Sequence, residues 1–216
     1  MSRSYQSLSG EEIIKKIRSK NRRTVLLCAL GDLAVVGAAA VLLFMTANEH
    51  RYVYAIIGLL VCVLFFVALT TVMKAALTTL KDVANAKLFR KFGAPERLAE
   101  AISAGAEHPL LESRQTLAAD SFIMKHNDFE SYVPYSAVLL CYKKEQRTNG
   151  ILTSVSLVVH DAYGDKTEYP FKMGKRHEGE MNDVMRQIAE QAPNAAFGYT
   201  PQNLKYAAAN ARRIPE

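Results

Sequence analysis

The sequence predicts an α-helical membrane hairpin followed by an α+β domain, and three observations carry that prediction. Two apolar runs, residues 24–46 and 52–73, stand back to back with only residues 47–51 between them. From residue 115 the hydrophobic period falls to two, as strands require. A helical period then returns at Met181, Val184, Met185, Ile188, Ala189 and Ala192, and Pro193 ends it.

The apolar runs come first. Each holds about 22 residues, which at about 1.5 Å per residue spans a hydrocarbon core of about 30 Å. The polar link is too short for anything but a tight reversal, so the spans form an antiparallel hairpin. Half of the 216 residues are hydrophobic, but they crowd the first third of the chain. The chain beyond residue 73 suffices for one globular domain of usual size.

The net charge of +6 is unevenly placed. Lys15, Lys16, Arg18, Lys20, Arg22 and Arg23 precede the first span, and Lys74, Lys81, Lys87, Arg90 and Lys91 follow the second. The link holds Arg51 offset by Glu49. By the positive-inside rule both termini are cytoplasmic, in a multi-pass protein of the cell membrane. Attraction to anionic headgroups accounts for the basic excess, so no nucleic-acid partner is expected. The first run is too long for a signal-peptide core and lacks a small-residue cleavage site. Cys28 and Cys62 lie within spans and Cys141 beyond them, without metal-ligand or disulfide spacing.

In chain order, residues 1–8 read as disordered. Ser9 and Glu12 match a capping box, with Leu8 and Ile13 at the staple positions, opening an amphipathic helix with Ile13, Ile14 and Ile17 on one stripe. After the second span, Met73, Leu77, Leu80, Ala84 and Leu88 extend the helical pattern to about Phe92, before Gly93 and Pro95. A short helix over 95–103 ends near Gly105, and His108-Pro109 breaks the pattern. Phe122 and Met124 mark one strand, Asn127-Asp128 a turn, and Phe129, Ser131 and Val133 the next, to Pro134. Residues 136–143 are apolar on both faces and form a central strand; 144–150 is a polar loop. Ile151, Thr153, Val155, Leu157 and Val159 share one strand face, and Ser154, Ser156 and His160 the other. Tyr163-Gly164-Asp165 turns the chain into Thr167, Tyr169, Phe171 and Met173. The amphipathic helix then covers the sheet, and a last helix runs from Thr200-Pro201 to about Arg213. The domains are therefore 1–23, the hairpin 24–73, a helical stalk 74–114, a sheet domain 115–193 and a tail 194–216.

The segments Ser121-Phe-Ile-Met-Lys125 and Tyr132-Val-Pro-Tyr-Ser-Ala-Val138, the stretch 157–171 with its Gly164 turn, and the helix to Pro193 together resemble uncharacterised bacterial membrane proteins. These join two transmembrane helices to a cytoplasmic pleckstrin-homology-like domain. The ending Pro193-Asn-Ala-Ala-Phe-Gly-Tyr199 is similar to the tail of one such group. The resemblance covers about residues 117–191, and it implies an antiparallel pleckstrin-homology-like sheet capped by a C-terminal amphipathic helix. It implies no catalytic residues. The first hairpin departs from lipid-binding members of the fold, offering only Lys125 and His126 beside Asp128 and Glu130.

Asp32 is the sharpest candidate, because a carboxylate inside a span is costly and functional by default. The alternative is that it sits near the cytoplasmic interface, reached by water or by Arg22 or Arg23. Gly31, Ala34 and Ala38 form a small-residue face for close helix packing. Lys143, Lys144 and Arg147 on one loop, with Lys172, Lys175 and Arg176 at the end of the next strand, form a candidate basic rim for headgroups or a partner. His177-Glu178 lacks the second histidine of a zinc motif, and no phosphate-binding or nucleophile-elbow motif occurs. The expected protein is therefore a non-catalytic binding or scaffold module without cofactor. Its expected partners are the lipid bilayer, another membrane or cytoplasmic protein, and further copies of itself. The competing expectation is an oligomeric transport or channel component using Asp32.

Overall fold

The computed structural model describes residues 5, 8–49, 52–83, 86–113 and 115–212, with side chains 45–49, 52–55, 175 and 176 excepted. The chain forms two units, one of Ile14–Ala86 and one of Met1–Ile13 with Lys87–Glu216. Two of the helices are long and apolar enough to cross a membrane.

The first of these, α1 (Gly10–Glu49), begins at the predicted capping box: Ser9 Oγ accepts from Glu12 N at 3.2 Å, and Glu12 Oε2 accepts from Ser9 N at 3.3 Å. It runs from the amphipathic segment into the apolar run as one continuous helix. The polar residues at that point bond their own helix, Asn21 Nδ2 to Ile17 O at 3.1 Å and Thr24 Oγ1 to Lys20 O at 3.1 Å, so nothing forces a bend. α2 (Tyr52–Lys81) returns antiparallel. Gly31 faces Leu69 and Gly58 faces Leu42, where an added Cβ would lie 3.0 and 2.9 Å from a leucine methyl. The seam on α1 uses Cys28, Asp32, Val35, Ala39 and Leu42, at alternating four- and three-residue steps, with Gly31 beside Asp32. Ala34 and Ala38 are exposed, so the expected small-residue face is represented in the seam by Gly31 alone.

The helix expected to reach Phe92 stops at Lys81, and α3 (Lys87–Phe92) is separate. Thr78 and Thr79 turn their hydroxyls onto the carbonyls of Lys74 and Ala75, and Ala86 N donates to Val83 O. Within its own unit, α3 is then held by ion pairs from Lys87 and Lys91. Gly93, at φ +103°, closes it by donating to Phe89 O.

Next, α4 (Pro95–Glu107) passes through Gly105 instead of ending there. A Cβ at that position would meet Phe122 Cε1 at 2.5 Å and Ala119 Cβ at 2.8 Å, so glycine is needed for close approach and not as a stop. Gly105→Val is expected to lower stability by about 1–3 kcal/mol through overpacking, read as a lowered denaturation midpoint. An unchanged midpoint would show that α4 has room to move.

The α+β region contains two sheets, each four-stranded. In the first the order is β1 (Leu111–Glu112), β2 (Thr116–Ala118), β3 (Phe122–Lys125), β4 (Asp128–Pro134), all antiparallel. Pairing thus begins at Leu111, ahead of the expected change of period. The β3–β4 turn is His126-Asn127, one residue earlier than expected, with Asn127 at φ +61°. A 3-10 turn at Tyr135–Ala137 leads into the second sheet. Its strands β5 (Val138–Thr148), β6 (Ile151–Asp161) and β7 (Lys166–Phe171) are antiparallel, and β8 (Ala196–Phe197) joins β5 in parallel. The expected loop 144–150 is mostly strand: Asn149 and Gly150, at φ +53° and +80°, make a two-residue hairpin turn.

α5 (Lys175–Gln191) places Met181, Val184, Ile188 and Ala192 in one core with Ile123 and Val133 of the first sheet and Leu157, Val159, Tyr169 and Phe171 of the second. α6 (Pro201–Asn210) contributes Leu204 and Ala207 to a smaller cluster with Leu140, Tyr142 and Val158, on the opposite face of β5 and β6. Both faces of the middle of the second sheet are thereby covered.

Candidate functional site

Residues directly opposed across antiparallel strands share a face. Lys143 pairs with Leu157 and so points to the α5 side; Lys144 pairs with Ser156 and points to the α6 side. The basic residues expected on one loop are therefore divided between the two faces of a strand.

On the α5 side Lys143 Nζ lies 2.8 Å from Glu178 Oε1 and 3.0 Å from Glu145 Oε1, while Arg147 Nη2 lies 3.1 Å from Glu145 Oε2. The hydrogen bond Lys143 donates to Glu178, then that to Glu145, raises the Lys143 pKa; the same network holds Glu145 below its ordinary value. On the α6 side Lys144 Nζ lies 2.8 Å from Glu168 Oε2, whose other oxygen accepts from Ser156 Oγ at 2.6 Å. Bonding to Lys144 first, and to Ser156 second, holds the Glu168 carboxyl below its usual range. Lys143, Lys144 and Arg147 thus each have a carboxylate partner. Lys172, just beyond β7, is exposed and makes no ion pair among the described residues. Lys175 and Arg176 belong to the first turn of α5, and not to a strand end.

A cavity of about 180 Å³ opens between this face and the start of α5. Leu152, Val155, Phe171 and Met181 supply apolar lining, and Lys143, Lys172, His177 and Glu178 supply the polar lining. His177 Nδ1 lies 2.6 Å from Glu180 Oε2. Met173 also lines the cavity and is half exposed. The expected candidates therefore converge only in part: Lys143 and Lys172 meet here, whereas Lys144 faces away.

Asp32 occupies the hairpin seam, and its Oδ1 is buried without a hydrogen-bond partner among the described residues; so is Thr70 Oγ1 of α2. His160, beside Tyr142 at 6.0 Å between ring centroids, has its pKa lowered by burial and next by Lys166, with Asp161 opposing. Burial pushes the Cys141 thiol up to about 12, which leaves it unreactive near neutrality. Among the described residues no histidine, cysteine and carboxylate group is placed to hold a metal ion.

Two features escaped the sequence. Lys91 is buried against Asp161 and Asp165, and Tyr5 is buried against the β3–β4 turn, where Asn127 N donates to its hydroxyl at 2.9 Å. Tyr5 also meets His126 and Phe129 edge-on. Each partner lies far away in sequence, so no local pattern signals it. No family model matches the chain, and neither a curated protein nor a solved structure does.

Proposed function

We propose that this chain is a non-catalytic integral membrane protein whose α+β unit, pleckstrin-homology-like in arrangement, serves as a binding or scaffold module at the cytoplasmic face. One observation carries the membrane reading. Only 6% and 0% of the most apolar stretches of the two long helices are buried, with Leu33 73% and Phe44 74% exposed. A soluble protein hides its apolar helices, and surfaces of this extent belong in lipid. The order of strands followed by α5 supports the pleckstrin-homology-like reading, as do the short segments that resemble that fold. Tethering raises the concentration of such a module at the bilayer, which favours weak contacts with a lipid or a partner protein.

The test joins extraction with topology. The expected result is resistance to alkaline extraction from membranes, with a reporter at Asn48 reading as external and both termini as internal. Release by alkali, or a cytoplasmic reporter at Asn48, overturns the proposal.

A second reading has its own observation: the unpartnered Asp32 Oδ1 in the seam. If an oligomer lines an ion pathway with Asp32, Asp32→Asn abolishes flux in proteoliposomes. On the scaffold reading no flux is present and the substitution leaves the chain's binding intact. The assay requires the full chain, because the α+β unit draws on residues before and after the hairpin.

A further inference from the structure

We infer that the cavity between β6, β7 and α5 binds a short amphiphilic carboxylate, with its apolar body inside and its charged end at Lys172. This rests on reading the α+β unit as a binding module. Size sets the first limit. Apolar cavities of about 150 Å³ accept benzene, so about 180 Å³ admits a chain of a few carbons and excludes a long acyl chain.

Lining chemistry sets the second limit. Leu152, Val155, Phe171 and Met181 offer no hydrogen bonds to a polar body, while Met173 can follow the shape of an apolar one. At the polar side Lys143 is already held between Glu178 and Glu145. Lys172 is the lining lysine without an ion pair among the described residues. A carboxylate therefore meets the positive charge of Lys172 on that side, and a cationic amphiphile is disfavoured.

The probe is octanoate, added to the full chain in zwitterionic nanodiscs with methionine methyl groups labelled for NMR. Met173 and Met181 report from the cavity, and Met124, fully buried in the first sheet, is the internal control. The expected result is a saturable shift of Met173 and Met181 with Met124 unmoved. Lys172→Gln weakens octanoate at least fivefold and leaves octanol unchanged. Leu152→Phe fills the cavity and removes both, with the Met124 signal retained as proof of folding.

Absence of a saturable Met181 shift with either compound overturns the site. Equal binding of octanol and octanoate, unaffected by Lys172→Gln, overturns the carboxylate assignment. The same shifts in anionic nanodiscs without octanoate would place a bilayer lipid in the cavity and overturn the short-chain assignment. Alkaline extraction of the same preparation reports membrane anchoring separately, so failure here leaves the tethered-module reading standing.

Discussion

Lys91→Ala is expected to destabilise the α+β unit by about 3 kcal/mol, the lower end of what breaking a buried ion pair costs. The Lys91 side chain is 5% exposed and that of Asp161 is 3% exposed, with Nζ 2.6 Å from Oδ2. The substitution leaves the Asp161 charge buried without its counter-ion. Two backbone donors, the N–H groups of Tyr163 and Asp165, remain on Asp161 Oδ1 at 2.9 Å, which is why the upper end is not reached. The Lys91 ammonium also lies over the rings of Phe92 and Tyr163, at 5.7 and 5.4 Å from their centroids. Lys91→Met keeps the stem and should be nearly as damaging, whereas adding Asp161→Asn should recover much of the loss. Denaturation followed by tyrosine near-UV dichroism reads all three. A loss below about 1 kcal/mol for Lys91→Ala would mean that water screens the pair.

The same cluster sets an acid limit. Burial raises the Asp165 pKa, but the bonds from Lys87 and Lys91 outweigh it, and the carboxyl lies below its ordinary 3.8. A depressed folded pKa gives stability that is present above the unfolded value and is lost as pH falls below about 4.

Tyr169→Ala is the second large effect, expected at about 3–5 kcal/mol, the range for removing a buried aromatic side chain. Tyr169 is fully buried in β7, packs in the core shared by both sheets and α5, and donates its hydroxyl to Ser131 O of β4 at 2.6 Å. Burial raises its phenol well above the ordinary value of 10, so it remains a donor at any physiological pH. Tyr169→Phe separates packing from the hydrogen bond and should cost about 1–2 kcal/mol. If the two variants cost the same, the inter-sheet bond and not the packing carries this position.

How much of this was legible depended on the range over which each signal acts. The two long apolar helices follow from length and hydropathy, the start of α1 from Ser9 and Glu12, and α5 from the spacing of Met181, Val184 and Ile188. All of these are local. The Asn149-Gly150 turn was not singled out: residues 144–150 read as one polar loop, because the charged residues there concealed a strand whose far half is solvated. The separation of α3 from α2 was not legible, because Lys87 and Lys91 find carboxylates at least 70 residues away. Nor does helical periodicity reveal that Gly105 is needed for Phe122. At the candidate site the cations could be named, but not the carboxylates that occupy them: Glu178 and Glu168 are set by register across strands and onto α5.

The seating of Tyr5 on Asn127, 122 residues later, has a consequence for how the molecule is made. Tyr5 leaves the ribosome before both long helices, yet the turn that receives it is synthesised only after them. The hairpin is thus inserted into the sequence of the α+β unit, and Tyr5 cannot meet Asn127 until the hairpin has been translated. A bulky tag fused just ahead of Tyr5 would be carried to that turn as well, so a tag at the carboxyl end is the better choice for expression.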